Sequence, residues 1–301
     1  MGANTPIPSR VHLKIEQLAK LSSTRRKEKE GHVEVDCKIE RGSLPNWSDS
    51  VRRIPNVALR SALFGTMNKG ARPYVEKAEI NALGGLSVLY TGIHLDQGDL
   101  DVWEAILHAA RMQDLGAECR VTAYRLLKLL GKSDTGKNRR ILDVAISRLK
   151  ATALQINTGK RSYEGSLISE VYRDHDARSA RIYVIRLNPK LGVLFRDDQF
   201  TDVDWTIRHA LRGKPLAQWI HGFYSSHARS YDLKVETLHR LCGSRARSLT
   251  DFKKDLRRSL DAVKQASDNA GMPFSYLIEA QLVQVKATPS ASQKRHLSKL
   301  R

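Results

Sequence analysis

The chain has 301 residues, 41% of them hydrophobic, which is enough for two domains that each bury a core. Its 51 Lys and Arg against 32 Asp and Glu leave a net charge of +19, a bias that favours a polyanionic partner, nucleic acid ahead of a membrane surface. No apolar run approaches the ~20 residues of a membrane-spanning helix, and no amphipathic Lys/Trp helix stands out.

Residues 1–45 are polar and mixed in charge. Met1 to Pro6 lack the apolar stretch of a signal peptide, and Pro6 breaks the myristoylation pattern. The run Arg25-Arg26-Lys27-Glu28-Lys29-Glu30 reads as part of a flexible arm, or as a basic arm that adds nonspecific DNA affinity or binds a protein partner.

A first folded domain is expected over 46–188, opening near Trp47. Gly84-Gly85 marks a turn, and Leu86 to Leu95 reads as a strand with Leu86, Val88 and Tyr90 on one face. Asp99 is positioned to cap a helix whose buried stripe is Trp103, Ile106, Leu107 and Ala110. Thr122 would cap a short second helix stopped by Gly131. Asp134 or Thr135 would cap a third, with the stripe Leu142, Ala145, Ile146 and Leu149. Extended segments follow at Ala153 to Thr158, Leu167 to Tyr172 and Arg181 to Leu187, the first pair joined by a turn through Gly159-Lys160-Arg161.

The order repeats over 189–288. Leu216, Trp219, Ile220 and Phe223 form one stripe, Val235, Leu238, Leu241 and Cys242 the next, and Phe252, Leu256, Leu260 and Val263 the third. A hairpin from Phe274 to Leu277 and Gln281 to Val285 follows, then a basic, disordered tail over 289–301. Three helices and a hairpin, twice, predict an α+β chain of two tandem winged-helix domains, each with a helix-turn-helix, behind a flexible N-terminal arm.

The third helix of each copy is the expected DNA reader. B-DNA's major groove accepts one helix, with Arg reading guanine edges and Lys or Arg neutralising phosphates. Across 137–150 five basic residues face a single acidic one, Asp143. The expected contacts are Lys137, Asn138, Arg139, Arg140, Ser147 and Lys150, the wing tip Lys160 and Arg161, and, in the second helix taken as Arg245 to Arg258, Arg245, Arg247, Lys253, Lys254, Arg257 and Arg258.

Catalytic signals are weak. Gly131 to Asn138 fits G-x-x-x-x-G-K, but Asn138 stands where Mg²⁺ binding needs Ser or Thr, and the preceding segment reads as helix rather than strand. The ten His never form a zinc spacing. Asp174-His175-Asp176 reads as solvated charge in a wing turn, and Tyr183 and Tyr224 fall at core-compatible positions. No G-x-S-x-G elbow occurs. Cys37, Cys119 and Cys242 are isolated, which fits a reducing cytoplasm. No catalytic residue, metal or cofactor is expected, and the chain is not read as an enzyme. The rival from another class is a nicking or ATP-dependent strand-opening enzyme.

Several ordered blocks resemble the TrfA-type plasmid replication initiators: Trp47 to Asn56 with Ala62-Leu63-Phe64 and Asn68-Lys69, Tyr90 to Ile93, Leu149 to Ala153, Phe223 to His227, Leu233 to Thr237, and Leu241 to Ser244. The resemblance runs from about Trp47 to Ala287. It implies a bacterial cytoplasmic, plasmid-associated initiator with two winged-helix domains, active as a monomer and inactive as a dimer, and hence tied to plasmid copy control. It implies binding to repeated origin sites (iterons), opening of an adjacent A·T-rich region with contact to its single strand, and recruitment of the host helicase and initiator. Some members carry Gln-Leu-Ser-Leu-Phe for a sliding clamp. Gln17-Leu18-Ala19-Lys20-Leu21 lacks the aromatic, which counts against clamp binding. The alternative role is a transcriptional repressor without origin opening. The dimer contact is left open between the strand Leu86 to Leu95 and the linker near Pro189.

Overall fold

Val51–Pro55 forms β1, which pairs antiparallel with a strand some 150 residues later in the computed structural model. The structure describes residues 43–289 other than 68, 69, 71, 158, 160, 161, 176–180, 197 and 198, together with Gln293 and Ser298. The N-terminal arm up to residue 42 and most of the tail lie outside the described residues. After β1 come a one-turn helix α1 (Asn56–Leu59), β2 (Phe64–Gly65), β3 (Tyr74–Ile80), β4 (Ser87–Ile93) and β5 (Leu95–Asp96). Val88 and Tyr90 of β4 are buried and Leu86 packs beside them, as the alternation predicts.

Helix α2 (Gln97–Ala110) is capped by Asp96 rather than Asp99. Asp96 accepts from the Asp99 amide at 3.0 Å and the Asp99 carboxylate accepts from the Asp96 amide at 3.1 Å, so Asp99 is the far half of a capping box. Strand β6 (Glu118–Thr122) leads into α3 (Ala123–Leu129), capped by Thr122, and α4 (Gly136–Lys150), capped by Thr135. The predicted stripe Leu142, Ala145, Ile146 and Leu149 is the buried face of α4.

The strands after α4 pair differently from the sequence expectation. β7 (Ala153–Asn157) joins β8 (Ser162–Gly165) and, on its other edge, β4, giving a four-stranded sheet β3-β4-β7-β8. Leu154 and Ile156 of β7 sit opposite Tyr90 and Val88 of β4, and all four are buried. β9 (Glu170–His175) and β10 (Arg181–Arg186) instead form a hairpin beside β6, in the order β6-β10-β9. As the central strand β10 buries Tyr183, Val184 and Ile185 in succession, so the clean alternation read there is absent. Lys160 and Arg161, expected at a wing tip, lie outside the described residues.

A 3-10 helix (Pro189–Phe195) and β11 (Phe200–Asp204) return to β1, where Arg53 holds Asp202 through two bonds of 2.6 and 2.7 Å. Then come α5 (Trp205–Ala210), α6 (Pro215–Ser225), β12 (Leu233–Lys234), α7 (Val235–Leu241), α8 (Leu249–Asn269), β13 (Phe274–Glu279) and β14 (Leu282–Ala287). The sheet order β12-β14-β13 repeats β6-β10-β9: a strand before the second helix, then the closing and opening arms of a hairpin. Two hydrophobic clusters result. One runs from Leu44 to Val203 and the other from Ile207 to Val285, the latter including Phe252, Leu256, Leu260 and Val263. The fold is mixed helix and sheet, and Arg41–Arg301 form one compact unit.

Candidate nucleic-acid interface

The two turns that precede the third helices are built alike. α3 ends with Gly131 at φ 58° and α7 with Gly243 at φ 62°, a left-handed conformation that glycine takes without strain. In each, the next amide bonds back five residues: Lys132 to the Leu127 carbonyl at 2.8 Å, Ser244 to the His239 carbonyl at 3.2 Å. A hydroxyl then starts the third helix, Thr135 accepting from the Asn138 amide and Ser248 from the Asp251 amide. The G-x-x-x-x-G-K segment is therefore the turn between helices α3 and α4.

Each turn is also held by a residue from the other half of the chain. The last carbonyls of α3 have no partner within their helix. Leu129 accepts from the Trp205 indole at 3.2 Å, and Leu130 and Gly131 accept from the Arg212 guanidinium at 2.6 and 2.8 Å. In the opposite direction, the Cys242 carbonyl accepts from the amide of Thr66 at 2.9 Å and from its hydroxyl at 3.1 Å. Beneath this double clasp Arg208, fully buried, reaches Asp101 at 2.7 Å, Glu104 at 3.5 Å and the Gln97 side chain at 3.2 Å, and Gln218 also bonds Asp101. Burial outweighs the pull of Arg208 and pushes the Glu104 carboxyl up to about 8. The clasp ties the supports of α4 and α8 into one framework.

On α4 the expected residues divide. Lys137, Arg140 and Lys150 are exposed and make no ion pair among the described residues. Arg139 is paired with Asp134 at 2.6 and 2.7 Å, and Asn138 bonds the Ser133 carbonyl. Ser147 accepts from Arg173 at 2.8 Å. Arg148 turns inward to buried Asp99, at 2.5 Å, and serves the core. The one acidic residue of the helix, Asp143, is occupied by Arg173, Arg181 and Tyr183, which fastens α4 to the β9–β10 hairpin.

The second helix starts later than expected. α8 begins at Leu249, so Arg245 and Arg247 stand in the turn before it, both exposed. Lys253 is turned to the hairpin tip, donating to the Ala280 carbonyl. Lys254 pairs with Asp251 at 3.7 Å and Arg258 with Asp255, while Arg257 is exposed and makes no ion pair among the described residues. Exposed pairs of this kind contribute only about 0–1 kcal/mol, so a phosphate can take over the cation.

Two residues on α4 were missed in the sequence. Ile141 and Val144 are 44% and 48% exposed, on the side that carries Lys137, Arg140 and Ser147. Their spacing of three, out of step with the core stripe, was the available signal. No group of three or more His, Cys, Asp or Glu among the described residues is arranged to hold a metal. Asp174 pairs with Arg120, and Asp176 lies outside the described residues. Tyr183 and Tyr224 are buried, as are Cys119 and Cys242, while Cys37 is outside.

A model of the TrfA protein family matches residues 13–286. The chain belongs to that family. The plasmid replication initiator protein TrfA of Escherichia coli is 28% identical over 225 residues, covering 72% of this chain and 58% of that protein. The chain thus corresponds to well under two thirds of that relative's length. Among solved structures, domains 2 and 3 of RctB superpose with a TM-score of 0.54 at 14% identity, covering 78% of this chain and 98% of that one. A second RctB structure of the same domains gives 0.48 at 13% identity. The first of these supports a shared fold. No helix among the described residues is long and apolar enough to cross a membrane.

Proposed function

We propose that this TrfA family member is a plasmid replication initiator that binds repeated origin sites through two winged-helix domains, opens adjacent A·T-rich duplex and recruits the host helicase and initiator. The observation that carries the reading is the doubled turn with its cationic third helix, set in a chain of net charge +19 whose family includes a named initiator. The two hydrophobic clusters and the matching sheet orders support two winged-helix domains, the first with the β7–β8 hairpin inserted between the third helix and the wing.

In this reading α4 and α8 enter successive major grooves on one face of the duplex, about one helical turn apart. Lys137, Arg140, Lys150, Arg247, Lys254, Arg257 and Arg258 neutralise phosphates, and a subset of the arginines reads base edges. Strand opening then needs no nucleotide site: several bound copies bend the duplex and trap unpaired A·T-rich strand. A monomer–dimer equilibrium regulates the number of active copies. Permanganate probing of supercoiled plasmid origin with the pure chain tests this. Reactive thymines next to a protected repeat are expected without ATP. Protection with a closed duplex would leave a repressor, and covalent nicks or ATP turnover would make the protein an enzyme.

A further inference from the structure

We infer that Ile141 and Val144 are specificity-determining residues that read thymine methyl groups in the major groove. The inference rests on the DNA-binding reading above and adds to it what α4 reads. Both side chains are aliphatic and roughly half exposed, yet they lie on a helix whose apolar needs are already met by Leu142, Ala145, Ile146 and Leu149. At 100° per residue, Val144 falls close to the middle of the face opposite that stripe. Lys137 and Arg140 stand seven and four residues before it, Ile141 three before and Ser147 three after, so this apolar pair is set among cations and a hydroxyl.

The surroundings select the occupant. A protein partner for an aliphatic patch would meet two cations that make no ion pair among the described residues, whereas duplex DNA supplies phosphates for Lys137 and Arg140 and apolar groups for Ile141 and Val144 together. The thymine C5-methyl is the apolar group that the major groove offers, and it distinguishes A·T from G·C pairs. α8 differs in this respect. Its corresponding face carries Thr250, Lys254, Arg257 and Asp261, with no exposed aliphatic residue beyond Leu249 at its first position. The two helices thus have unlike chemistry: α4 reads methyls, and α8 reads with charge and hydrogen bonds. Each repeat would then be asymmetric, with a thymine-bearing half facing α4.

Uracil tests this directly, because it differs from thymine by that methyl alone. The full chain is used to select duplexes from a random pool, and in the selected site each thymine is replaced in turn by deoxyuridine. Burial of one methyl predicts that at least one position in the α4 half loses roughly fourfold in affinity. The variant Ile141→Ala with Val144→Ala should bind the thymine site more weakly and lose the distinction between thymine and uracil. Ala is the better helix former at exposed positions, so the variant keeps its fold. Equal binding of thymine and uracil at every position would overturn the inference while leaving DNA binding intact. So would undiminished uracil sensitivity in the variant, or a variant whose only change is loss of self-association in sedimentation. Failure to select any sequence would instead sink the underlying DNA-binding reading.

Discussion

Gly131→Ala should be among the most damaging single changes at the surface of this protein. Two costs are visible. The residue sits at φ 58°, where an L side chain costs roughly 1–2 kcal/mol. A Cβ there would also stand 2.6 Å from a terminal nitrogen of Arg212 and 3.1 Å from the His209 ring. The Arg212 end can swing away, so the clash itself is relieved cheaply. Swinging away gives up its bonds to Leu130 and Gly131, and a hydrogen bond from a charged group contributes about 1.5–3 kcal/mol, less for the exposed one of the two. The sum is roughly 3–5 kcal/mol, a large share of the ~5–15 kcal/mol that stabilises a typical domain. Gly136→Ala is the control. Its Cβ meets nothing within 4 Å and its φ is not left-handed, so it should stabilise by about 0.4–1 kcal/mol. Equilibrium urea unfolding measures both, and Arg212→Ala completes a cycle in which the double variant costs less than the sum of the singles. A Gly131→Ala protein within ~0.5 kcal/mol of the parent would refute the clasp as a stabilising feature.

Arg208→Ala removes the buried cation that faces Asp101 and Glu104 and should cost roughly 3–5 kcal/mol in the same assay; a loss under ~1 kcal/mol would contradict its role. Acid should destabilise the protein above the pH range in which ordinary carboxylates titrate. Burial, reinforced by nearby arginines, lowers His108, His209 and His227 to about 4 and His221 to about 3. The unfolded chain takes up protons near the ordinary ~6.5 while the folded one does not, so stability is full above that value and is lost progressively as pH falls from it towards the folded values of about 4 and 3. Glu104, raised to about 8, acts in the opposite sense between its ordinary value and 8, as Asp96 does above its own, but these are two groups against five once His94, also lowered by burial, is included. The urea midpoint should fall between pH 7 and 5, and a flat profile would remove this reasoning. Arg140→Ala and Arg257→Ala should each weaken DNA binding and reduce the slope of log affinity against log salt by roughly 0.9 per lost phosphate contact; an unchanged slope would take that residue off the backbone.

Local signals carried much of this architecture. Thr122 and Thr135 start helices because their hydroxyls can take the free amides of the first turn, and Gly131 and Gly243 stop them because the left-handed cap needs no Cβ; the same cap at Ser248 is not among the expected ones, and α8 is expected too early, at Arg245. The apolar stripes of α4 and α8 followed from the same local periodicity. What stayed hidden was non-local. β1 pairs with β11 across about 150 residues, and nothing in Val51–Pro55 names that partner. β7 pairs on one edge with β8 and on the other with β4, where Leu154 and Ile156 are buried opposite Tyr90 and Val88, and the hairpin beside β6 is instead formed by β9 and β10. Charge alone does not show which basic side chains are already engaged within the fold. Lys253, expected at the DNA, donates to the Ala280 carbonyl at the hairpin tip, and Arg148 on α4 holds Asp99. A count of basic residues further overlooks Ile141 and Val144, whose exposure shows only once the opposite face of α4 has been filled.

In the proposed function the clasp presents α4 and α8 to adjacent grooves as one rigid reader. Hydroxyl-radical footprinting of the full chain on the origin of its own plasmid tests it most directly. Two protected patches per repeat are expected, on one face of the duplex and about 10–10.5 base pairs apart. A single patch per bound chain, or patches on opposite faces, would contradict it.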